Sequence, residues 1–171
     1  MLDAAWSMLE AGADGPGGRP VLGTIAPDGP RLRTVVLRFA DRLSSMIHIY
    51  SDARAAKIDE LRRDRRASLH VWDPERALQL RLRGEAIVHE DTALARTALD
   101  DLPAHARDLY RASPAPGTPI EDPGAVNFDM VHFALIAFEI SEIEVLHITR
   151  PFHRRALFAA EFDWQGQWLT P

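Results

Sequence analysis

The sequence predicts an antiparallel α+β barrel of about six or seven strands with short helices between them. Two observations lead to this fold class. Stretches with apolar residues at every second position recur along the chain between turn residues, which is typical of half-exposed strands. The helical segments are short and irregularly placed, whereas a parallel sheet needs a helix after each strand. Because 171 residues suffice for one hydrophobic core, we expect residues 1–171 to form a single domain.

The predicted elements follow one another closely. A helix over residues 3–11 and a glycine-rich loop form an N-terminal segment, residues 1–19. Alternation predicts strands over residues 20–26, 31–40, 46–50, 67–72, 77–89, 128–149 (as one or two strands), 155–162 and 168–169. Helices are predicted over residues 53–64, 91–99 and 103–111.

Glycine and proline mark the connections between these elements. Asp28-Gly29, between two apolar runs, is typical of a tight hairpin turn. Gly84 lies inside a long predicted strand and indicates a bulge. Residues 113–125 contain four prolines and two glycines, which predict an irregular surface loop. Loops of this length often have a function of their own.

Composition argues against several classes of protein. A net charge of −5 disfavours non-specific binding to nucleic acid or to an anionic membrane. The absence of cysteine removes disulfide, thiol and cysteine-ligated zinc chemistry. No apolar run reaches the roughly 18 residues of a membrane span, and the N-terminus lacks the features of a signal peptide. We therefore expect a cytoplasmic protein that binds neither nucleic acid nor membrane.

The segment Ile49–Lys57 contains the clearest candidate for a binding site. A predicted strand leads to Asp52, whose carboxylate could cap a helix that starts directly after it. Arg54 and Lys57, three positions apart, would project from one side of the first turn. Because a helix N-terminus carries free N–H groups and partial positive charge, two cations beside it would form a phosphate site. The alternative is a pair of solvated surface cations.

Further polar residues lie near the ends of the neighbouring strands. Arg33 and Arg38 are five positions apart, so both reach one ligand only if the strand is bulged or the site lies at an edge. Tyr50 and Ser51 precede the predicted helix and could line a planar ligand. The Gln79 amide interrupts an aliphatic strand and could meet the edge of a heteroaromatic ring. The alternatives are ordinary sheet positions, half-buried for Tyr50 and exposed for Gln79.

Metal sites and nucleophile motifs are not recognised in the sequence. The seven histidines form no HxxxH or HxH pair, so we expect no bound metal ion. No GxSxG motif is present, so a serine nucleophile of that type is not expected either. Binding of a phosphate attached to a planar group is therefore the function that the residues favour.

Three stretches together resemble the pyridoxamine 5′-phosphate oxidase-like flavoproteins, which are FMN-binding split β-barrels. They are Arg33-Thr34-Val35-Val36-Leu37-Arg38, then Ile49-Tyr50-Ser51-Asp52 with Arg54 and Lys57, and Gln79-Leu80-Arg81-Leu82-Arg83-Gly84-Glu85. Phe152-His153-Arg154-Arg155, with Trp164 and the last three residues, is similar to the closing segment of the true oxidases. The resemblance covers roughly residues 21–171 and implies a homodimer with FMN at the subunit interface.

The resemblance also implies a role for each matching residue. The expected cofactor contacts are Arg33, Thr34, Val35, Val36, Arg38, Tyr50, Ser51, Arg54, Lys57, Gln79 and Arg155. Arg33, Arg54 and Lys57 would hold the FMN phosphate. Tyr50 and Ser51 would follow the ribityl chain, and Gln79 would meet the polar edge of the isoalloxazine ring. Arg38, His153 and Arg155 are the candidates for the side chains nearest the reacting atoms.

The chain departs from the oxidase pattern at several positions. Ala55 and Ala56 replace a serine and an arginine ahead of Lys57, and Leu146 stands where a tryptophan is expected beside the flavin. Residues 113–125 lack the arginine and serine set that would hold a substrate phosphate. We therefore expect an FMN-dependent oxidoreductase on an unknown small molecule. The alternatives are a non-catalytic flavin-binding module, or a split barrel that uses a deazaflavin or haem.

Overall fold

The computed structural model describes residues 1–171 and has a nine-stranded antiparallel sheet at its centre. The strands of the chain are β1 (Val21–Ala26), β2 (Gly29–Thr34), β3 (Leu37–Asp41), β4 (Met46–Asp52), β5 (Arg66–Asp73), β6 (Leu78–His89), β7 (Ala112–Ser113), β8 (Asn127–Phe128), β9 (Phe133–His147), β10 (Arg154–Ala159) and β11 (Gly166–Leu169). Strands β7 and β8 pair with each other in a separate hairpin. The other nine strands form the main sheet.

Strand β9 joins the two parts of the main sheet. Along residues 133–139 one side of β9 pairs with β4, and along residues 142–147 that side pairs with β10. Strand β6 lies along the other side of β9, followed by β5, β1 and β2, while β3 pairs with β4. The change of partner near Ile140 splits the barrel. The predicted class, an antiparallel α+β split β-barrel, is confirmed.

Four short helices flank the sheet. They are α1 (Leu2–Glu10), α2 (Ala56–Arg63), α3 (Ala93–Asp100) and α4 (Ala104–Arg107). Helix α1 buries Trp6, Met8 and Leu9 in the main core, as its apolar side predicted. Helix α2 buries Ile58 and Leu61 and packs against β1 and β6. None of the four helices combines the length and the apolar character that a membrane crossing requires.

The core follows from the period-two alternation of the strands. Strand β5 buries every second residue, including Leu69 and Val71, and exposes the residues between them. Leu80 and Leu82 of β6 enter the same core, and Phe138 in the middle of β9 is fully buried. Side chains that alternate with these buried ones on β5, β6, β9 and β10 therefore share one outer face of the sheet.

Gly84 marks the predicted bulge. The register between β6 and β9 shifts between Arg83 and Gly84. A Cβ atom at Gly84 would lie 1.9 Å from the carbonyl oxygen of Glu139, so the close approach of the two backbones leaves no room for a side chain. The hairpin turn predicted at Asp28-Gly29 is also present, between β1 and β2.

The prediction of one strand over residues 31–40 is wrong. Two strands, β2 and β3, replace it, with a break at Val35-Val36. The Val35 N–H donates to the carbonyl of Pro20, and the Leu37 N–H donates to that of Gly18. These bonds to the N-terminal loop draw the backbone out of the ladder, which is one reason why the sheet has more strands than predicted.

The region from residue 103 to residue 149 also differs from expectation. The single helix predicted over residues 103–111 is the four-residue helix α4 followed by a 3₁₀ turn at Asp108–Tyr110. The proline-rich loop is irregular over most of its length, but Ser113 pairs with Asn127. Residues 128–149, predicted as one or two strands, contain the end of β8 and the single 15-residue strand β9.

Candidate functional site

A lysine and a serine meet where β4 leads into α2. Lys57, in the first turn of α2, donates from Nζ to Ser51 Oγ at 2.9 Å. Ser51 is buried near the end of β4. Burial lowers the pKa of Lys57, as does the nearby Arg33 guanidinium, while the carboxylates of Asp52 and Glu60 oppose the change. The structure therefore places Lys57 against Ser51, with the Arg33 guanidinium near enough to lower the pKa of Lys57.

The Arg33 side chain is held by a buried carboxylate. Arg33 Nη2 lies 2.7 Å from Glu60 Oε2, and the Thr24 hydroxyl donates to the same oxygen at 2.5 Å. Arg33 Nη1 in turn donates to the Thr24 hydroxyl oxygen. Thr24 and Glu60 are both buried. This network fixes the guanidinium at the edge of a groove of about 540 Å³ that the start of α2 also lines.

We expect Glu60→Ala to lower the free energy of unfolding by about 2–4 kcal/mol, because it leaves Arg33 and the Thr24 hydroxyl without their buried partner. Urea unfolding followed by circular dichroism measures the change. The control is Asp59→Ala on the same helix, whose carboxylate is 61% exposed and pairs with Arg62. That exposed pair contributes about 0.2–1 kcal/mol. Equal losses in the two variants would show that the Glu60 network does not stabilise the fold.

Arg54 lies outside α2, so the predicted helix start is wrong. The helix begins at Ala56, three residues later than predicted, and its N-cap residue, Ala55, has no side chain that could cap it. Asp52 does not cap the helix. Its carboxylate accepts the Arg54 backbone N–H at 2.8 Å and forms a two-point ion pair with the Arg54 guanidinium at 3.0 and 2.7 Å.

The Arg54 guanidinium also connects two distant segments. Its Nη2 donates to the carbonyl oxygen of Ala112 in β7, at 2.6 Å. The ion pair with Asp52 raises the pKa of Arg54. Arg54 therefore lies near the predicted phosphate site, but its donors face a carboxylate and a backbone carbonyl. The side chain ties β7, where the proline-rich loop begins, to the end of β4.

Arg38 belongs to a separate aromatic cluster. Its guanidinium carbon lies 5.8 Å from the centre of the Tyr50 ring, and Arg38 Nε is buried without a hydrogen-bond partner. The rings of Tyr50 and Tyr110 both meet Phe133 edge-on, at 5.1 and 5.0 Å. Burial raises the pKa of both tyrosine hydroxyls, while the Arg38 charge opposes the rise. Arg33 and Arg38 thus have different partners, on either side of the strand break.

The residues between these arginines are exposed to different degrees. Thr34 is exposed, Val36 is half-buried, and the Val35 side chain is buried in the main core. A ligand in this region could reach Val35 only through its backbone. His153, the remaining candidate near the reacting atoms, is exposed in the connection between β9 and β10.

Gln79 and Arg155 lie on the outer face of the sheet. Gln79 pairs with Leu146 of β9, and Leu146 pairs on its other side with Arg155. Glu144 accepts from Arg155 at 2.9 Å and from Arg81 Nε at 2.8 Å. Burial opposes ionisation of Glu144, but the two guanidinium groups hold its pKa below its usual value. Arg155 Nε is buried and has no partner.

The two ends of the predicted site are far apart within one chain. Ser51 pairs with Ala134 near the beginning of β9, whereas Gln79 pairs with Leu146 near its end. These twelve residues correspond to about 40 Å of strand. Within one chain, the Lys57 cluster and the Gln79 pair therefore lie beside opposite ends of β9.

Sequence reasoning missed several residues of these clusters, namely Thr24, Glu60, Tyr110, Phe133 and Glu144, and it also missed Trp72, which pairs with Gln79. Alternation along each strand already places Glu144 and Trp72 on the outer face. Their partners depend on the register between strands far apart in sequence, which no local pattern specifies. Glu60 resembled an ordinary charge on a helix surface. No group of three or more metal-ligating side chains occurs in the structure.

Proteins with a similar sequence or structure include FMN-binding proteins. The sequence profile described as pyridoxamine 5′-phosphate oxidase, FMN-binding domain, matches residues 9–90. A comparison with curated protein sequences gave no significant match. Among solved structures, a pyridoxamine 5′-phosphate oxidase-related, FMN-binding protein from Nostoc punctiforme PCC 73102 has a TM-score of 0.81 and 20% sequence identity, over 99% of this chain and 96% of that one.

Two further structures share the fold at lower similarity. PhzG from Burkholderia lata 383, in complex with tetrahydrophenazine-1-carboxylic acid, has a TM-score of 0.75 and 17% identity, over 99% of this chain and 90% of that one. An F420 reductase has a TM-score of 0.52 and 18% identity, over 80% of this chain and 93% of that one. Residues 9–90 are therefore similar in sequence to the pyridoxamine 5′-phosphate oxidase FMN-binding domain, and the whole chain shares the split-barrel fold of these structures.

Proposed function

We propose that this protein binds FMN as a homodimer and uses it as a flavin-dependent oxidoreductase on a small molecule. The observation that carries the proposal is the cluster of Lys57, Ser51 and Arg33 at the start of α2. A half-buried ammonium and a guanidinium beside a helix N-terminus form a donor set that suits a phosphate.

Lys57 is the central phosphate ligand in this proposal. Asp52 offsets the charge of Arg54, and Glu60 offsets that of Arg33. Lys57 has only the Ser51 hydroxyl as a partner, so its charge is free to meet an anion. Arg33 contributes a second, pre-oriented cation. Arg54 supports the site through Asp52 and Ala112.

The homodimer follows from the distance between the two ends of the site. Within one chain, about 40 Å of strand β9 separates the phosphate end from Gln79. A two-fold axis brings the outer face of one subunit against the phosphate end of the other. Each dimer would then have two equivalent sites, each with its phosphate end from one subunit and its ring end from the partner.

The ring end offers groups that suit the polar edge of a flavin. The Gln79 amide has both a donor and an acceptor. The buried Nε atom of Arg155 lacks a partner in the protein, as expected for a donor that faces a ligand. Arg38 Nε also lacks a partner, and it lies with Tyr50 near the phosphate end. Bound FMN would supply hydride transfer, and the chain would supply orientation and positive charge near the ring. Arg38, Arg155 and His153 are our candidates for contact with the substrate.

We expect the protein to bind FMN at least about a hundredfold more tightly than riboflavin, because the phosphate gains charge-assisted hydrogen bonds from Lys57 and Arg33. Flavin fluorescence titration of the purified protein measures both affinities. Equal affinities would contradict the phosphate site. A purified protein that carries haem or a deazaflavin, as its visible spectrum would show, would contradict FMN as the cofactor.

A turnover assay separates an enzyme from a flavin-binding module. The FMN-loaded protein is mixed with NADH, with NADPH and with vitamin B6 amines, and flavin bleaching and oxygen uptake are followed. Reduction of the bound flavin by any of these donors would support an oxidoreductase. A flavin that stays oxidised with all of them would favour the non-catalytic alternative.

A further inference from the structure

A tryptophan extends the Gln79 row on the outer face of the sheet. Trp72 of β5 pairs with Gln79 of β6, which pairs with Leu146 of β9, which pairs with Arg155 of β10. Trp72 alternates with the buried Val71 and faces away from the core, with 43% of its surface exposed. The four side chains therefore lie side by side on neighbouring strands, and we call them the ring row.

The ring row combines three kinds of contact that a planar heteroaromatic ring needs. The Trp72 indole offers a flat π surface. Next to it, the Gln79 amide offers a donor and an acceptor, and Arg155 offers a cation whose Nε has no partner. Three inter-strand spacings separate the ends of the row, about 14 Å, which is long enough to accommodate three fused rings.

The other members of the row do not provide a π surface. Leu146 is aliphatic and lies between Gln79 and Arg155. On β5 the exposed positions before Trp72 are occupied by Ser68, which has no ring, and by His70, whose imidazole lies one step away from the row because it pairs with Arg81. An exposed indole of this size is costly to leave in water and gains about 0.5–1.5 kcal/mol from an aromatic partner beyond the burial of its surface.

We propose that Trp72 is the residue on which the isoalloxazine ring stacks, in place of an aromatic side chain at position 146. The inference rests on the proposed function, because it requires a flavin on this face. It makes Trp72 a determinant of ring binding, distinct from the residues at the phosphate end. Gln79 and Arg155 then meet the edge of a ring whose plane Trp72 sets.

The test uses the emission of the bound flavin. An indole in contact with isoalloxazine quenches flavin fluorescence by electron transfer, so the wild-type complex should be dark. With Trp72→Leu we expect bright bound flavin and a dissociation constant for FMN about tenfold higher. Because no phosphate contact is lost, the dissociation constant for riboflavin should rise by the same factor. Trp72→Phe, which retains a π surface, should bind more tightly than Trp72→Leu.

The matched control is Trp168→Leu. Trp168 is 69% exposed on the edge strand β11, where it pairs with Ala156, a residue that alternates with the outer-face Arg155. We expect its bound flavin to stay dark and its affinity unchanged. Bound flavin that stays dark in Trp72→Leu, or that brightens equally in Trp168→Leu, would overturn the role of Trp72. A wild-type protein that binds no flavin would instead overturn the proposed function.

Discussion

Lys57→Met should weaken FMN binding by about 10- to 100-fold, because it removes one charge-assisted hydrogen bond to the phosphate, worth about 1.5–3 kcal/mol. Methionine retains the length and apolar stem of lysine, so packing against the start of α2 is preserved. Ser51 is left with the bond that its hydroxyl donates to the Asp52 carbonyl. Flavin fluorescence titration measures the dissociation constant.

Two controls separate phosphate binding from a general loss of charge. Riboflavin lacks the phosphate, so its affinity should be the same for Lys57→Met and the wild type. Arg62→Ala removes an equal charge from the same helix, where the guanidinium is 47% exposed and pairs with Asp59 and Glu90. FMN affinity should change little in that variant. If Lys57→Met lost riboflavin and FMN affinity alike, Lys57 would support the fold and not the phosphate.

The local patterns predicted much of the fold. Period-two alternation placed Leu69, Val71, Leu80 and Leu82 in the core, and the lone glycine of a long strand located the bulge at Gly84. These features depend on residues close together in the chain. Burial of one face then follows from strand geometry alone.

The errors occur where a specific hydrogen-bond partner determines the backbone conformation. Residues 31–40 have a continuous strand pattern, yet Val35 and Leu37 hydrogen-bond to the loop before β1. Asp52 has the sequence context of a helix cap, but the Arg54 guanidinium offers its carboxylate two donors. The first partner is distant in the sequence and the second is a side chain only two residues away, and secondary-structure propensities take account of neither.

The candidate site also has a part that local sequence predicts and a part that it does not. The cations of the phosphate end could be listed from the sequence, but their charge balance could not. Glu60 lies 27 positions from Arg33 and still forms a buried ion pair with it. The ring row joins strands β5, β6, β9 and β10, and its members are known only once the register is known. Local sequence therefore indicates a phosphate site, whereas only the register defines the row of residues that we propose for the ring.

The long strand β9 is the reason why we propose a second copy of the chain. It separates the phosphate end from the ring row by most of its length, so in our proposal each flavin site combines the two ends from different subunits. A two-fold axis would complete two flavin sites at once, because each subunit would provide the phosphate end of one site and the ring end of the other. The proposal therefore predicts complementation between defective subunits.

A heterodimer of two defective chains should regain flavin binding. The first chain carries Lys57→Met, which damages the phosphate end, and the second carries Gln79→Ala with Arg155→Ala, which damages the ring end. Each homodimer has two damaged sites. In the heterodimer both lesions fall in one site and the other is intact, so we expect about half of the wild-type flavin content.

Two different affinity tags isolate the heterodimer after co-expression, and the absorbance of released flavin measures its content. Both parental variants are first checked by thermal unfolding, because a chain that fails to fold could not complement. Heterodimers that stay flavin-free while both parents are folded would show that each site lies within one chain. Failure to recover any doubly tagged species would contradict the homodimer itself. Recovery of one site per dimer, with wild-type affinity for FMN, is the result that separate phosphate and ring ends require.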